Sequence, residues 1–411
     1  MKSAHATSCP TRSFPGIMLT LAAALALAGC QKSEPPAPAA APAAPQAREI
    51  TVKIGHAAPL TGPQAHLGKD NEYAAKMAVD ELNAQQMEIG GAKVKFELLS
   101  EDDQADPRQG TLVAQKFVDA KVNGVVGHLN SGTTIPASQI YSEAGIPQIS
   151  GSATNPKYTQ QGFKTAYRVM ANDVQQGRAL AEFVAKRGIK SVAIIDDRTA
   201  YGQGIAEEFR KGAEAAGIQI VASEFTDDKA VDFKAILTKI KSKNPQVIFY
   251  GGMDAQAGPM AKQLQALGLK ANLLTGDGGC TPEFIKLAGT ASEGQFCSLP
   301  GVPLEKMPKG ADFKTRFVGK FNAQVQLYAP YVYDAVMVMA DAIKRANSVE
   351  PAKYLAVLPQ TSYQGVSARV EFDGVGDLKD GAISLYQVKD GKLTHLETLG
   401  ATAAAAPAAP K

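Results

Sequence analysis

The sequence predicts an α/β protein built from two doubly wound parallel-sheet units. Three observations point there. Apolar runs of strand length alternate with runs at helical spacing through the body of the chain, the pattern of a sheet covered on both faces. The alternation restarts after Arg168-Val169-Met170, so a second unit of similar size follows the first. A length of 411 residues also exceeds that of one ordinary domain.

In the first unit, Ile50-Thr51-Val52-Lys53-Ile54 alternates apolar and polar residues as a strand does, and breaks at Gly55. Glu72 to Ala84 carries Ala74, Met77, Ala78 and Leu82 at helical spacing, and Val94, Phe96 and Leu98 alternate again. Leu112, Val113 and Phe117 mark a helix, Val122 to Val126 a strand, Ile135 to Ala144 a helix and Ile146 to Ile149 a strand. The second unit begins with a helix from Gln176 to Arg187 and the buried strand Ser191 to Ile195. Helices over Gly204–Ala216 and Phe233–Ser242 alternate with strands over Ile218–Glu224 and Val247–Tyr250. A helix running to Leu267 and a strand at Leu273-Leu274 follow. A third section holds a long helix from Tyr331 to Arg345 and the ending Val370 to Val388.

The loop Gly127–Thr134 (GHLNSGTT) joins a strand to a helix. Such a turn leaves amide and hydroxyl donors unpaired where the positive end of the helix dipole also points, which suits an anion. It lacks the lysine of a nucleotide-binding loop, so a carboxylate is the expected guest. Ser131 would equally suit a helix cap. In open α/β sheets ligands sit beyond the carboxyl ends of strands, so two such units facing each other make a cleft.

The termini differ from the body. Lys2 and Arg12 precede the apolar stretch Ile17–Ala28, which is shorter than the ~20 residues a membrane span needs. It ends in Leu27-Ala28-Gly29-Cys30, which resembles the bacterial lipobox, with Cys30 as cleavage and lipidation site. A plain secretory signal with a chance cysteine is the alternative. Residues 1–30 are thus expected to be a lipoprotein signal peptide and residues 31–48 an Ala/Pro-rich linker. Residues 400–411 form a similar, disordered tail. The anchor would be the only tie to a membrane.

Composition narrows function. Hydrophobic residues make up 45% and charged residues 20%, the net charge is +3 and there is no Trp, so nucleic-acid binding is not expected. His56, His66, His128 and His395 show no metal-ligand spacing, and neither HExxH nor GxSxG occurs. Asp102-Asp103 and Asp196-Asp197-Arg198 suit loop turns better than paired acids. No enzyme activity, metal or cofactor is expected. Cys280 and Cys297 are the only cysteines beyond the signal, an even pair that suggests a disulfide in an exported protein, with two buried free thiols as the alternative.

Several short runs carry a specific resemblance when taken together in their order. They are Pro59-Leu60-Thr61-Gly62-Pro63, Asp102-Asp103, Gly127 to Ser131, Ser152-Ala153-Thr154-Asn155-Pro156, Tyr201-Gly202-Gln203-Gly204, Tyr250-Gly251-Gly252 and Gly374-Val375-Gly376-Asp377. From about Glu49 to Leu399 the chain resembles periplasmic binding proteins of the branched-chain amino acid class (the leucine/isoleucine/valine-binding family), which feed ABC transporters. The resemblance implies the type I fold, two lobes joined by a three-crossover hinge. Lobe 1 would comprise residues 49–170 and 301–366, and lobe 2 residues 171–300 and 367–399. It further implies a monomer in the periplasm, lipid-anchored through Cys30, that closes on a small, apolar or branched-chain amino acid and docks on an ABC permease. A sensor or regulator of the same fold, binding an amide or small carboxylate, is the alternative.

Carried over residue by residue, the resemblance puts Ser131 on the ligand carboxylate, with Leu129 beside it. The Ser152 carbonyl and Thr154 hydroxyl would meet the ligand ammonium, while the Thr154 amide, next to Ala153, would donate to the carboxylate. Asp277 falls where the family has a carboxylate, commonly Glu, that contacts the ammonium; it also suits a turn before Gly278. Tyr201 matches a tyrosine that closes over the ligand. Two departures concern the side-chain pocket: Leu67 stands where an aromatic is common, and Met253 where a Tyr follows Tyr-Gly-Gly. Both still provide an apolar wall, Met adaptably. Tyr331 would add a wall or pack in the core.

Overall fold

A computed structural model of the protein describes residues 48–400. The expected signal segment with Cys30, the linker up to residue 47 and the tail from residue 401 lie outside the described residues. In chain order the first lobe contains β1 (Glu49–Ala58), α1 (Ala65–Ala84), β2 (Glu88–Ile89), β3 (Ala92–Asp102), α2 (Pro107–Asp119), β4 (Gly124–Gly127), α3 (Ser131–Glu143), β5 (Gln148–Ser150), α4 (Lys157–Gln160) and β6 (Ala166–Arg168). The second opens with α5 (Asp173–Lys186), β7 (Ser191–Asp196), α6 (Ala200–Ala215), β8 (Gln219–Phe225) and α7 (Lys234–Lys241). It continues through β9 (Val247–Gly251), α8 (Asp254–Ala266), β10 (Asn272–Thr275), α9 (Pro282–Ala288) and β11 (Phe296–Pro300). After these come α10 (Gly310–Phe321), α11 (Ala329–Ala346), α12 (Pro351–Leu355), the ribbon β12 (Ser362–Gln364) and β13 (Arg369–Glu371), then β14 (Ile383–Lys389) and β15 (Lys392–Leu399).

The strands form two main sheets, ordered β2-β3-β1-β4-β5-β6 and β15-β14-β11-β10-β9-β7-β8. β1 pairs in parallel with β3 and β4, and β4 to β6 continue in parallel. β7 to β11 are likewise parallel, with β14 and β15 added antiparallel at one edge. The fully buried strands read as continuous apolar runs, Val247 to Tyr250 being entirely enclosed. Helix α11 packs on α1, β4 and β5. The chain therefore leaves the first lobe after β6, returns after β11 and leaves again before β14, the three-crossover hinge of the type I fold.

Register sets the carboxyl ends side by side. Ala57 at the end of β1 is opposite Gly127 at the end of β4, while Asp196 and Tyr250 lie opposite Gly251 and Thr275 respectively. Gly127 has φ 131, and a Cβ there would come within 2.6 Å of the Ala57 carbonyl oxygen, so only glycine lets the following loop turn so closely over β1. Among the described residues no helix is long and apolar enough to cross a membrane.

Candidate functional site

The loop after β4 is held by His128. Its buried ring bonds Asp103 Oδ2 through Nδ1 at 2.8 Å and the Tyr141 hydroxyl through Nε2 at 2.9 Å. Its carbonyl accepts from the hydroxyls of Thr134, Ser150 and Ser152 at 3.2, 3.3 and 3.4 Å. One residue thus locks the loop after β4 to the loop after β5, and both are stiffened by burial of every partner. Arg168, wholly buried at the end of β6, fixes the second loop from below. It donates to the carbonyls of Ala153 (2.6 Å) and Asn155 (3.0 Å) and pairs with Asp377 Oδ1 at 2.7 Å.

From these loops Leu129, Asn130, Ser131 and Ser152 face a narrow enclosure of about 10 Å³, room for about one water molecule. Tyr201 and Met253 close it from the second lobe, and Tyr328, just before α11, completes it. Ser131 is the first residue of α3 and its hydroxyl accepts from the Asn155 amide at 3.2 Å. The Thr154 hydroxyl is buried and lies beside the Asp173 carboxyl.

Behind the tyrosines lies Asp277, fully buried. Its Oδ1 accepts from Tyr201 Oη at 2.8 Å and Gln176 Nε2 at 3.0 Å, and its Oδ2 from Tyr328 Oη at 2.7 Å. Gln176 Oε1 accepts in turn from the Asp277 amide and from Ser298, and Tyr201 Oη from the Gly278 amide. Burial pushes the Asp277 carboxyl above its ordinary value, and the three donors only partly offset this. Asp173, at the start of α5, is pushed up well above the usual carboxylate range by burial and by the charge of Asp277. The Thr154 hydroxyl and the Arg168 charge beside it only partly offset this. Two carboxyls removed from water, with only neutral donors on Asp277, make a site whose electrostatic demand is for a cation. No cluster of three or more His, Cys, Asp or Glu side chains that could hold a metal ion occurs among the described residues.

The sequence profile of the periplasmic binding protein family matches residues 51–392. The chain belongs to that family. This periplasmic binding protein is similar to the leucine-, isoleucine-, valine-, threonine-, and alanine-binding protein of Pseudomonas aeruginosa, with 33% identity over 350 residues, 84% of this chain and 92% of that protein. Its fold is similar to the crystal structure of a leucine-binding protein from Thermotoga maritima, with a TM-score of 0.78 at 27% identity, covering 84% of this chain and 98% of that one. It is also similar to a branched-chain amino acid transporter substrate-binding protein from Streptococcus pneumoniae in complex with isoleucine, with a TM-score of 0.77 at 27% identity, covering 85% and 99%. By their names these relatives are binding proteins.

In this periplasmic binding protein the expected residues divide into three groups. Leu129, Ser131, Ser152, Tyr201 and Met253 meet around the enclosure, and Asp277 sits directly behind Tyr201. Ala153 and Thr154 lie buried beneath the loop and do not line the space, the Ala153 carbonyl being occupied by Arg168. Leu67 and Tyr331 are also outside the lining: Leu67 is in the core, and the Tyr331 hydroxyl donates to the Pro300 carbonyl at 2.6 Å. The aromatic wall comes from Tyr328, three residues before Tyr331. Its signal in the sequence was its place immediately ahead of the Ala329-Pro330 helix start, where a side chain points off the helix end. Gln176, Asp173 and Asn130 were not singled out either. Their roles depend on partners far along the chain, such as the 101-residue separation of Gln176 and Asp277. Cys280 and Cys297 stand with sulfurs 2.02 Å apart, in the bonded arrangement.

Proposed function

We propose that the protein captures a small amino acid between its lobes and delivers it to an ABC permease on the periplasmic side of a membrane. The observation that carries this reading is Asp277, a fully buried carboxylate bonded to Tyr201 on the second lobe and to Tyr328 beside the first. A ligand ammonium on the cavity side of Tyr201 and Tyr328 would be drawn by the Asp277 charge behind them, and such a cation lowers the raised value of the Asp277 carboxyl. At the other end of the space, Ser131 and the start of α3 receive the ligand carboxylate. The ligand first meets the Ser131 and Thr154 loops. Closure then brings Tyr201, Met253 and Asp277 across, excluding water and strengthening the ionic contacts.

The apolar Leu129 and Met253 favour an uncharged side chain. The name of the Pseudomonas aeruginosa relative supplies a probe set: leucine, isoleucine, valine, threonine and alanine. In this reading the moving bodies are residues 49–170 with 301–366 and residues 171–300 with 367–399, a monomer tethered by lipid on Cys30. A thermal-shift screen against amino acids, amides and small organic acids tests it. A ligand that binds only the folded state at a hundred times its Kd adds ~2.7 kcal/mol of stability. Stabilisation by one or more of the five amino acids is the expected result. Stabilisation by amides or simple acids alone contradicts it and points to a sensor of the same fold.

A further inference from the structure

The two lobes meet at a second polar contact, beside the pocket-lining Met253. His66 precedes Leu67 on α1, and Asp254 follows Met253 at the first turn of α8. His66 Nε2 lies 2.8 Å from Asp254 Oδ2, although the residues are 188 positions apart in the chain. The same oxygen accepts from Thr281 Oγ1 at 2.6 Å. Asp254 is 0% exposed, and its other oxygen has no partner among the described residues. A carboxylate so enclosed is strongly unfavourable unless a cation faces it. The helix start that carries Asp254 offsets part of that cost.

The groups around His66 leave it as that cation. Asp254 on α8 and Glu283 on α9 both act on the ring from the second lobe, with the Pro63 carbonyl from the loop before α1. On its own helix, Lys69 is drawn into a pair with Glu72 at 2.8 Å, and Asp70 accepts the amides of Gln326, Leu327 and Ala329. The His66 side chain keeps 21% of its surface exposed, enough to exchange a proton with solvent.

We propose that His66 and Asp254 are a positioning pair that fixes the closed arrangement of the lobes and couples ligand capture to proton uptake on His66. The inference rests on the reading of capture by lobe closure. Burial lowers the His66 value, but the bond to Asp254 and the charges of Asp254 and Glu283 outweigh it, so the ring sits above its ordinary 6.5 in the closed protein. Opening removes Asp254 and returns the ring toward 6.5. A group raised in the closed form favours closure fully below its open value, and that contribution is lost as pH rises through the closed value. Affinity therefore falls from pH 6 to pH 8.

Calorimetry with L-leucine at pH 6 and pH 8 tests this on the full protein, His66→Gln and Asp254→Asn. For the unaltered protein the expected loss of affinity across that range is measurably larger than in either variant. Both variants bind more weakly than the unaltered protein at pH 6. Titration at pH 7 in two buffers of different ionisation enthalpy reads proton uptake directly, and is expected to show it in the unaltered protein and not in His66→Gln. Equal pH ratios in all three proteins, or no proton uptake, overturns the inference while leaving amino-acid capture intact. No binding of leucine, isoleucine, valine, threonine or alanine overturns the capture reading and the inference together.

Discussion

Tyr328, beside the first lobe, donates its phenol hydroxyl to Asp277 Oδ2 on the second at 2.7 Å, with both side chains buried. A hydrogen bond to a charged group contributes about 1.5–3 kcal/mol, and this one exists only when the lobes are together. Tyr328→Phe is therefore expected to weaken an amino acid ligand by roughly tenfold or more, read by calorimetry. A change below about twofold would show that the phenol does not support the closed site.

His56, wholly buried in β1 with its Nδ1 2.9 Å from the Val126 carbonyl, gives a pH signature separate from the cleft. Burial lowers its value from 6.5 to about 4, the carbonyl bond and nearby carboxylates only partly opposing this. The folded protein thus keeps His56 neutral where the unfolded chain takes up a proton. Its contribution is fully present above 6.5 and is lost as pH falls toward 4, to a limit of ~3 kcal/mol. Urea unfolding at pH 7 and pH 4.5 should show a smaller loss in His56→Gln than in the unaltered protein. Identical losses would remove His56 from the acid sensitivity.

Cys280 and Cys297 enclose a separation of 17 residues, joining the segment after β10 to β11 beside the Asp277 turn. In the chain-entropy model a loop of that size adds about 3 kcal/mol to stability. Reductant should lower the unfolding midpoint of the unaltered protein and leave Cys280→Ser/Cys297→Ser unmoved. Two free thiols in a titration of the denatured, unreduced protein would contradict the bridge.

Much of this architecture was legible in the residues because burial on both faces writes strands as apolar runs: Val247 to Tyr250 and Ser191 to Ile195 match β9 and β7. Helix starts were harder. Apolar spacing predicts the first helix from Glu72, whereas α1 begins at Ala65, because its first turns are secured by polar bonds such as those of Asp70 to three amides near Tyr328. Apolar spacing starts the next helix at Gly204, whereas α6 begins at Ala200 with Tyr201 on its first turn, which Thr199 caps through the Gly202 amide. The loops that carry Leu129, Ser131, Ser152 and Asp277 could be placed in the sequence because each follows an apolar strand, β4, β5 or β10, and is rich in glycine, serine and threonine. Contacts made only when distant segments meet, Tyr328 with Asp277 and His66 with Asp254, leave no periodicity to read. Leu67 and Tyr331 sit near the right helices yet turn into the core and toward Pro300, a difference of rotation that spacing alone does not encode.

The most direct measurement is calorimetry of L-leucine with the unaltered protein and with Asp277→Ala. Truncating one partner of a buried charge pair costs ~2–5 kcal/mol, so affinity should fall by well over tenfold. Binding of equal strength in both proteins would mean that no ligand ammonium meets Asp277, and the amino-acid assignment would fall with it.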